Sequence, residues 1–360
     1  MILVCGYYGF GNAGDEAILS ALCADLVSLG IGKQQIYALS ANPTQTEKTH
    51  GVNAVDRYDY RKIYALLRQT NLFISGGGSL LQDSTSWRTI PYYLGIIEMA
   101  RARGVPVIVY GQGIGPVKNP VYRLWIRRVM NNVEQVILRD RPSAELLERW
   151  KVKSDLIRVT SDPVFRWEPQ WQRAHFPGIT LNLRPYGLWK SDFHAWVDVI
   201  RTWMHKFNWP VYFVPLGPGD QEMGIELNHE IRELQVLRPR CWQEAAQSMA
   251  STEVSISMRL HGLIFAAMGG SLPIGLEYDP KVAAIANQLG VLVHGASPTR
   301  QLTQDILHVC EYRSSYSEAI MAHVEVLHKY ASRNRELVGV HLTRMGMEDK
   351  DESENLGCKC

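Results

Sequence analysis

Ser257-Met258-Arg259-Leu260-His261-Gly262 sets an obligate cation and a titratable imidazole two residues apart, just after an apolar run with the character of a strand. Residues i and i+2 of a strand leave the same face, so Arg259 and His261 are expected to meet a bound anion together, one as a fixed charge and one as a proton donor. Arg139 closes another apolar run, Arg184 a third, and Lys281 follows Asp279-Pro280 at a helix start. A cation gains nothing from the dipole at a helix start, so Lys281 is better explained by an anionic ligand.

Glycine clusters stand at the ends of three apolar runs. Gly6-Tyr7-Tyr8-Gly9-Phe10-Gly11-Asn12-Ala13-Gly14-Asp15-Glu16 follows the first and opens a helix, where backbone N–H groups and the helix dipole favour a negative ligand. Asp15 there has two readings, a helix cap or a base facing a substrate. Ser75-Gly76-Gly77-Gly78-Ser79-Leu80-Leu81-Gln82-Asp83 and Gly111-Gln112-Gly113-Ile114-Gly115-Pro116 read as two further turns. Glycine lets backbone approach a ligand closely, and Gln82, Asp83 and Gln112 carry groups suited to sugar hydroxyls. No Gly-Lys-Ser/Thr follows the first cluster, so it is not a P-loop, and it fits the dinucleotide fingerprint poorly.

The elements that must position these residues follow from apolar periodicity. Short apolar runs at 1–5, 35–39, 72–75, 107–110 and 135–138 alternate with amphipathic stretches at 15–29, 60–69, 87–103, 121–132 and 142–150. This is the pattern of a largely parallel sheet covered by helices on both faces. Two prolines and no period mark residues 162–169 as a linker, after which strands are expected at 179–183, 211–215, 236–237, 254–257 and 272–276. The fold class is therefore α/β, with two Rossmann-like βα domains facing a cleft, at 1–165 and 176–345. A long helix over 315–339 is expected to pack back across the domain junction. The acidic stretch at 348–354 makes 346–360 a solvated tail.

With 360 residues, 46% hydrophobic and 21% charged, the chain is long enough for two cores. A net charge of +2 without a Lys/Arg block excludes a general nucleic-acid surface, so any anion site is local. The six cysteines show no C-x-x-C and no zinc spacing, which fits reduced thiols. The amino terminus lacks signal-peptide character, and no run is long enough to span a bilayer, so a cytoplasmic location is expected.

Gly9-Phe10-Gly11-Asn12-Ala13-Gly14-Asp15-Glu16, Gly76-Gly77-Gly78-Ser79-Leu80-Leu81-Gln82-Asp83, Arg139-Asp140, Met258-Arg259-Leu260-His261 and Tyr278-Asp279-Pro280-Lys281-Val282 occur in one order. As a set, covering residue 1 to about 345, they resemble the polysaccharide pyruvyl transferase family. They are most similar to its bacterial branch acting on lipid-linked cell-wall polysaccharide precursors for surface-layer anchoring. The resemblance implies a fold similar to the GT-B glycosyltransferases and transfer of pyruvyl from phosphoenolpyruvate to a hexosamine as a 4,6-ketal. In that branch the acceptor is N-acetylmannosamine of a lipid-diphosphate disaccharide.

That chemistry assigns roles to the residues. Phosphoenolpyruvate carries a phosphate and a carboxylate, so two or three fixed cations are required, for which Arg139, Arg184, Arg259 and Lys281 are the candidates, with His261 and Glu277 completing the donor set. His261 is the candidate acid, while Asp15 or Glu277 would take up the hydroxyl proton. Gly11, Asn12, Asp15, Gly77, Gly78, Gln82, Asp83 and Gln112 form the candidate acceptor set. No metal or organic cofactor is demanded, because the donor brings its own activated bond. A lipid-linked acceptor implies peripheral contact with the inner leaflet of the cell membrane, and Tyr122-Arg123-Leu124-Trp125-Ile126-Arg127-Arg128 suits such an interface. The rival reading is a GT-B nucleotide-sugar glycosyltransferase or epimerase. A catalytically silent carbohydrate-binding subunit comes third.

Overall fold

Runs such as Ile-Leu-Val-Cys and Leu-Phe-Ile-Ser, apolar on both faces, form the inner strands of two parallel sheets. The computed structural model describes residues 1–84, 86–168 and 176–347. In chain order the strands of the first sheet are β1 (Ile2–Tyr8), β2 (Ile36–Ser40), β3 (Asn53–Asp56), β4 (Leu72–Ser75), β5 (Gly78–Leu81), β6 (Val107–Ile114), β7 (Gln135–Leu138) and β8 (Ile157–Val159). The helices among them are α1 (Ala13–Ser28), α2 (Pro43–His50), α3 (Tyr60–Leu66), α4 (Thr89–Ala102), α5 (Pro120–Met130) and α6 (Arg141–Arg149). The second sheet is built of β9 (Phe176–Asn182), β10 (Val211–Phe213), β11 (Gln235–Val236), β12 (Thr252–Ser257), β13 (Leu272–Glu277) and β14 (Val293–Gly295). Its helices are α7 (Trp189–Phe207), α8 (Asp220–Glu230), α9 (Trp242–Met249), α10 (Leu260–Met268), α11 (Pro280–Leu289), α12 (Arg300–Glu311) and α13 (Arg313–Arg344).

The strand orders are β3-β2-β1-β4-β6-β7-β8, with β5 beside β6, and β11-β10-β9-β12-β13-β14, every pair parallel. In each, the first strand is central and the order reverses beside it, the arrangement that opens a crevice at the carboxyl ends. All residues of β4, β6 and β7 are buried, as helices on both faces require. Asn or Asp followed by Pro starts three of the helices. Asn42, Asn119 and Asp279 each accept a backbone N–H of the first turn, with Pro43, Pro120 and Pro280 supplying a preset φ.

The chain divides into two compact units that are not contiguous in sequence. The first comprises Met1–Gly9, Ile18–Pro163 and the chain from Tyr330 onward; the second comprises Phe10–Ala17 and Val164–Lys329. Both α1 and α13 are thus shared between units. In the first unit Val338 and Leu342 of α13 join the core formed by Ile2, Val4, Leu22 and Ile36. Asn334, fully buried, accepts from the Thr160 hydroxyl at 2.6 Å and donates to the Ser161 carbonyl at 3.2 Å.

Two sequence expectations change. Gly78–Leu81 is not part of a turn but strand β5, and Gly111-Gln112-Gly113-Ile114 continues β6 instead of leaving it, with Gly78 opposite Gln112. The glycines leave their mark as irregularities of register between β6 and both β5 and β7. Also, β12 ends at Ser257, so Arg259 and His261 do not alternate along a strand. The Ser257 hydroxyl accepts the Arg259 N–H at 3.0 Å, Arg259 takes the N-cap position of α10, and His261 lies in its first turn. Pro169 of the expected linker and residues 348–360 of the expected tail lie outside the described residues.

Candidate functional site

At the carboxyl edge of the second sheet, three strand ends are tied together by one buried amide. Asn182, the last residue of β9, donates to the Val214 carbonyl at 2.9 Å and to Asp220 at 3.1 Å, and accepts from the Ser257 hydroxyl at 3.1 Å. Asp220 is fully buried at the start of α8. Its Oδ2 accepts the backbone N–H groups of Leu216 and Gly217 at 3.0 and 3.1 Å and the Arg259 Nε at 2.6 Å, while Oδ1 accepts Arg259 Nη2 at 2.6 Å. This is a bidentate carboxylate–guanidinium fork, the geometry that fixes a guanidinium plane most firmly. Arg259 Nη2 also reaches the Pro218 carbonyl at 3.3 Å, and Nη1 makes no hydrogen bond among the described residues. The side chain is 11% exposed, so a small accessible edge of a fully charged group is left for a ligand. Burial works against that charge, but hydrogen bonds and charge from Asp220, with smaller contributions from Tyr278 and Asp15, more than offset it and raise the Arg259 pKa.

Tyr278, after β13, gathers the other cations. Arg184 Nη1 donates to its hydroxyl at 2.5 Å while the guanidinium carbon lies 4.4 Å from the ring centroid, and Lys281 Nζ is 5.6 Å from that centroid. Arg184 Nε is buried with no hydrogen-bond partner among the described residues. Lys281 reaches its neighbour Asp279 at 3.5 Å, a carboxylate that also caps α11. Glu277 ends β13 exposed to solvent.

From Phe10 to Ala17 the chain between β1 and α1 and the start of α1 belong to this same unit. Ala13 N–H donates to the Leu216 carbonyl at 2.8 Å, and the Asn12 side chain accepts Gly14 N–H at 3.1 Å, setting up the first turn of α1. Helix α1 starts at Ala13, so Asp15 lies inside its first turn, buried, and near enough to Arg259 to act on it electrostatically. Gly14 packs directly on the imidazole of His261, since a Cβ there would lie 2.0 Å from Nδ1. Gly217 packs likewise on the Arg259 guanidinium, a Cβ lying 2.8 Å from its carbon. Beside it opens a cavity of about 590 Å³ whose walls include Phe10, Gly11, Pro215, Gln221 and Arg238. Gln221 Nε2 is a buried donor with no partner among the described residues. The second unit thus brings together Gly11, Asn12, Asp15, Arg184, Arg259, His261, Glu277 and Lys281.

The remaining candidates belong to the first unit. Arg139, 4% exposed, pairs with the fully buried carboxylate of Asp162 at 3.0 Å and donates to the Ser79 hydroxyl at 3.0 Å. Gln112 is fully buried in β6, its amide donating to the Ser75 hydroxyl and the Gly76 carbonyl, both at 2.8 Å. Gln82 accepts from the Ser84 N–H and hydroxyl, and Asp83 accepts the N–H groups of Lys118 and Asn119 ahead of α5. Gly77 lies in the turn between β4 and β5, packed on Ile18, and Gly78 begins β5.

Sequence reasoning missed Asp220, Asn182 and Tyr278. Asp220 follows Gly217-Pro218-Gly219 and reads as turn punctuation, and Asn182 reads as the polar end of a strand. Tyr278 stands within a quoted motif, and an aromatic between two cations was the available signal.

The profile of the polysaccharide pyruvyl transferase family matches residues 12–280. No curated protein matches the chain. Among solved structures, a UDP-N-acetylglucosamine 2-epimerase from Listeria monocytogenes, described as putative, is similar with a TM-score of 0.68 at 9% identity, over 95% of this chain and 96% of that one. MnaA of S. aureus, solved with UDP, gives 0.65 at 11%, over 96% and 97%. HepE of Anabaena, solved with UDP-glucose, gives 0.62 at 11%, over 95% and 99%. At these identities the likeness is one of fold, two parallel-sheet α/β domains of the GT-B kind. Among the described residues no helix is long and apolar enough to cross a membrane.

Proposed function

The chain belongs to the polysaccharide pyruvyl transferase family, and from that premise we propose that it transfers the pyruvyl group of phosphoenolpyruvate to a hexosamine as a cyclic ketal, releasing phosphate. The observation that carries the donor assignment is the cation set of the second unit, in which Arg184 and Lys281 bracket Tyr278 while Asp220 fixes Arg259. A phosphate and a carboxylate on one small molecule fit such a set, and guanidinium forks also stabilise the charge that grows on the leaving phosphate. Arg139, buried against Asp162 in the first unit, is left out of this donor set.

His261 gives a proton to the methylene carbon of the enol, which becomes the methyl group. A sugar hydroxyl attacks the cationic carbon so formed and loses its proton to Asp15 or Glu277. The C–O bond to phosphate then breaks, and the neighbouring hydroxyl closes the ring. Of the two hydroxyl protons of the diol, one replaces that given by His261 and the other leaves with phosphate. Such proton transfers suit an imidazole and a carboxylate. The donor carries its own activated bond, so the reaction calls for no metal or organic cofactor.

The acceptor in this reading is N-acetylmannosamine of a lipid-diphosphate disaccharide, ketalised at positions 4 and 6, met at the inner leaflet by a peripheral cytoplasmic enzyme. Within the second unit, this reading gives Gly11, Asn12 and Asp15 to the acceptor. Incubating a synthetic lipid-linked disaccharide with enzyme and phosphoenolpyruvate tests this by mass spectrometry. The expected product gains the mass of phosphoenolpyruvate less phosphoric acid, with one phosphate released per ketal. Turnover or tight binding of a nucleotide sugar with no response to phosphoenolpyruvate would move the protein to the glycosyltransferase or epimerase reading.

A further inference from the structure

Trp87, Val121 and Leu124 of the first unit are exposed beside cations that form no ion pair among the described residues. Helix α5 buries Ile126, Val129 and Met130, leaving Val121, Leu124, Arg127 and Arg128 on its outer side. Val121 and Leu124 are each 64% exposed, and Trp87, just before α4, is 66% exposed. The two segments adjoin, since the Tyr122 hydroxyl donates to the Trp87 carbonyl at 3.0 Å. Arg88 lies 5.2 Å from the Trp87 ring centroid. Residues 84–97 and 117–133 contain Arg88, Lys118, Arg123, Arg127 and Arg128 and not one Asp or Glu, in a chain whose overall charge is only +2. None of Arg88, Lys118, Arg127 and Arg128 forms an ion pair among the described residues. Arg123 differs: its guanidinium donates to the carbonyls of Val117 and Lys118 at 2.9 and 3.2 Å and so holds the loop ahead of the helix.

We propose that Trp87, Arg88, Val121, Leu124, Arg127 and Arg128 form the surface by which the protein docks on an anionic phospholipid bilayer. Water-exposed Trp, Leu and Val interleaved with arginines match a bilayer interface at two depths. The apolar groups enter the acyl boundary, the indole lies at headgroup level, and the guanidiniums meet lipid phosphates. An acidic protein surface would satisfy the arginines but not the apolar groups between them. The inference deepens the lipid-linked acceptor reading by naming where the bilayer is met. It rests on that reading only for its purpose, because docking is measured without donor or acceptor.

The test is co-sedimentation of the full chain with vesicles of phosphatidylcholine, with and without phosphatidylglycerol. Binding is expected to the anionic vesicles alone and to weaken as salt screens the guanidiniums. Arg88→Glu, Arg127→Glu and Arg128→Glu together should lower the partition coefficient by on the order of 100-fold or more. Trp87→Ser with Leu124→Ser should weaken binding with every charge in place. The matched reversal Arg149→Glu, Lys206→Glu and Arg232→Glu should leave it largely intact. Should the arginine variant fail to fold, Trp87→Ser, at an exposed side chain, still reads the surface. Absent binding, equal binding to neutral vesicles, an unchanged arginine variant, or an equal loss in the matched reversal overturns the docking surface. A ketal product formed beside such a result would leave the enzymatic reading standing, and vesicle binding without product would do the reverse.

Discussion

The two sheets share one winding yet use the charges at their carboxyl edges differently. In the first unit the polar groups are turned inward: Arg139 is held by buried Asp162, Gln112 stitches Ser75 to Gly76, and Asp83 caps a loop. In the second unit a buried carboxylate, Asp220, takes up one side of Arg259 and leaves the other accessible, while Arg184 and Lys281 meet over an aromatic ring. The same residue type is thus almost wholly enclosed on one edge and keeps a small accessible side on the other. The difference is where its carboxylate stands.

Paired substitutions probe that contrast. Arg259→Ala should cut turnover with phosphoenolpyruvate by about 100- to 1,000-fold, the cost of losing one preorganised donor to a developing charge, measured as phosphate release. Its counterpart Arg139→Ala removes the cation paired with buried Asp162 and should lose roughly 3–5 kcal/mol of stability in denaturant titration. A raised KM for phosphoenolpyruvate with unchanged stability would instead make Arg139 a donor ligand and remove the contrast. Asp220→Asn keeps the shape but removes the charge that fixes the guanidinium, and should cost up to about 100-fold, chiefly through KM. Asp220→Asn with normal KM would deny Asp220 any positioning role.

Gly14→Ala sharpens the comparison within the second unit, because the added methyl collides with His261. Activity should fall by less than the roughly 100-fold expected for loss of a general acid, and the pH–rate profile should shift. The smallest effect concerns thiols of the first unit. Burial pushes Cys5 up to about 11 and Cys23 up to about 12, against opposing charge from Arg57 and Lys33 respectively. Both are neutral in the folded state where the unfolded chain would already ionise. The unfolded state therefore binds fewer protons in that window, and stability should fall as pH rises above about 9. Alkylation at neutral pH should be slow until denaturant is added.

Central strands were legible because strands covered on both faces leave uninterrupted apolar runs, as in β1, β4 and the first half of β6. Edge strands β3, β8 and β14 were not, since one flank faces water and their residues carry little hydrophobic signal, as exposed Val293 shows. Helix α2, Pro-Thr-Gln-Thr-Glu-Lys-Thr-His, is polar throughout and declares itself only by its Asn42-Pro43 start. Among site residues, Arg259 and His261 were found by type, but the spacing argument for them assumed a strand that Ser257 ends. Asp220 was invisible because its partner lies 39 residues away, a distance only the sheet order closes.

The lacing of the chain between units has a practical consequence for anyone dissecting it. A fragment cut after Pro163 would lack Asn334, leaving the Thr160 hydroxyl and Ser161 carbonyl without their buried amide, and would carry Phe10–Ala17 away from the unit to which it belongs. Each half is completed by residues encoded at a distance. Neither a front nor a back portion of the sequence specifies a finished globule, and the amino-terminal unit must await the second half of α13.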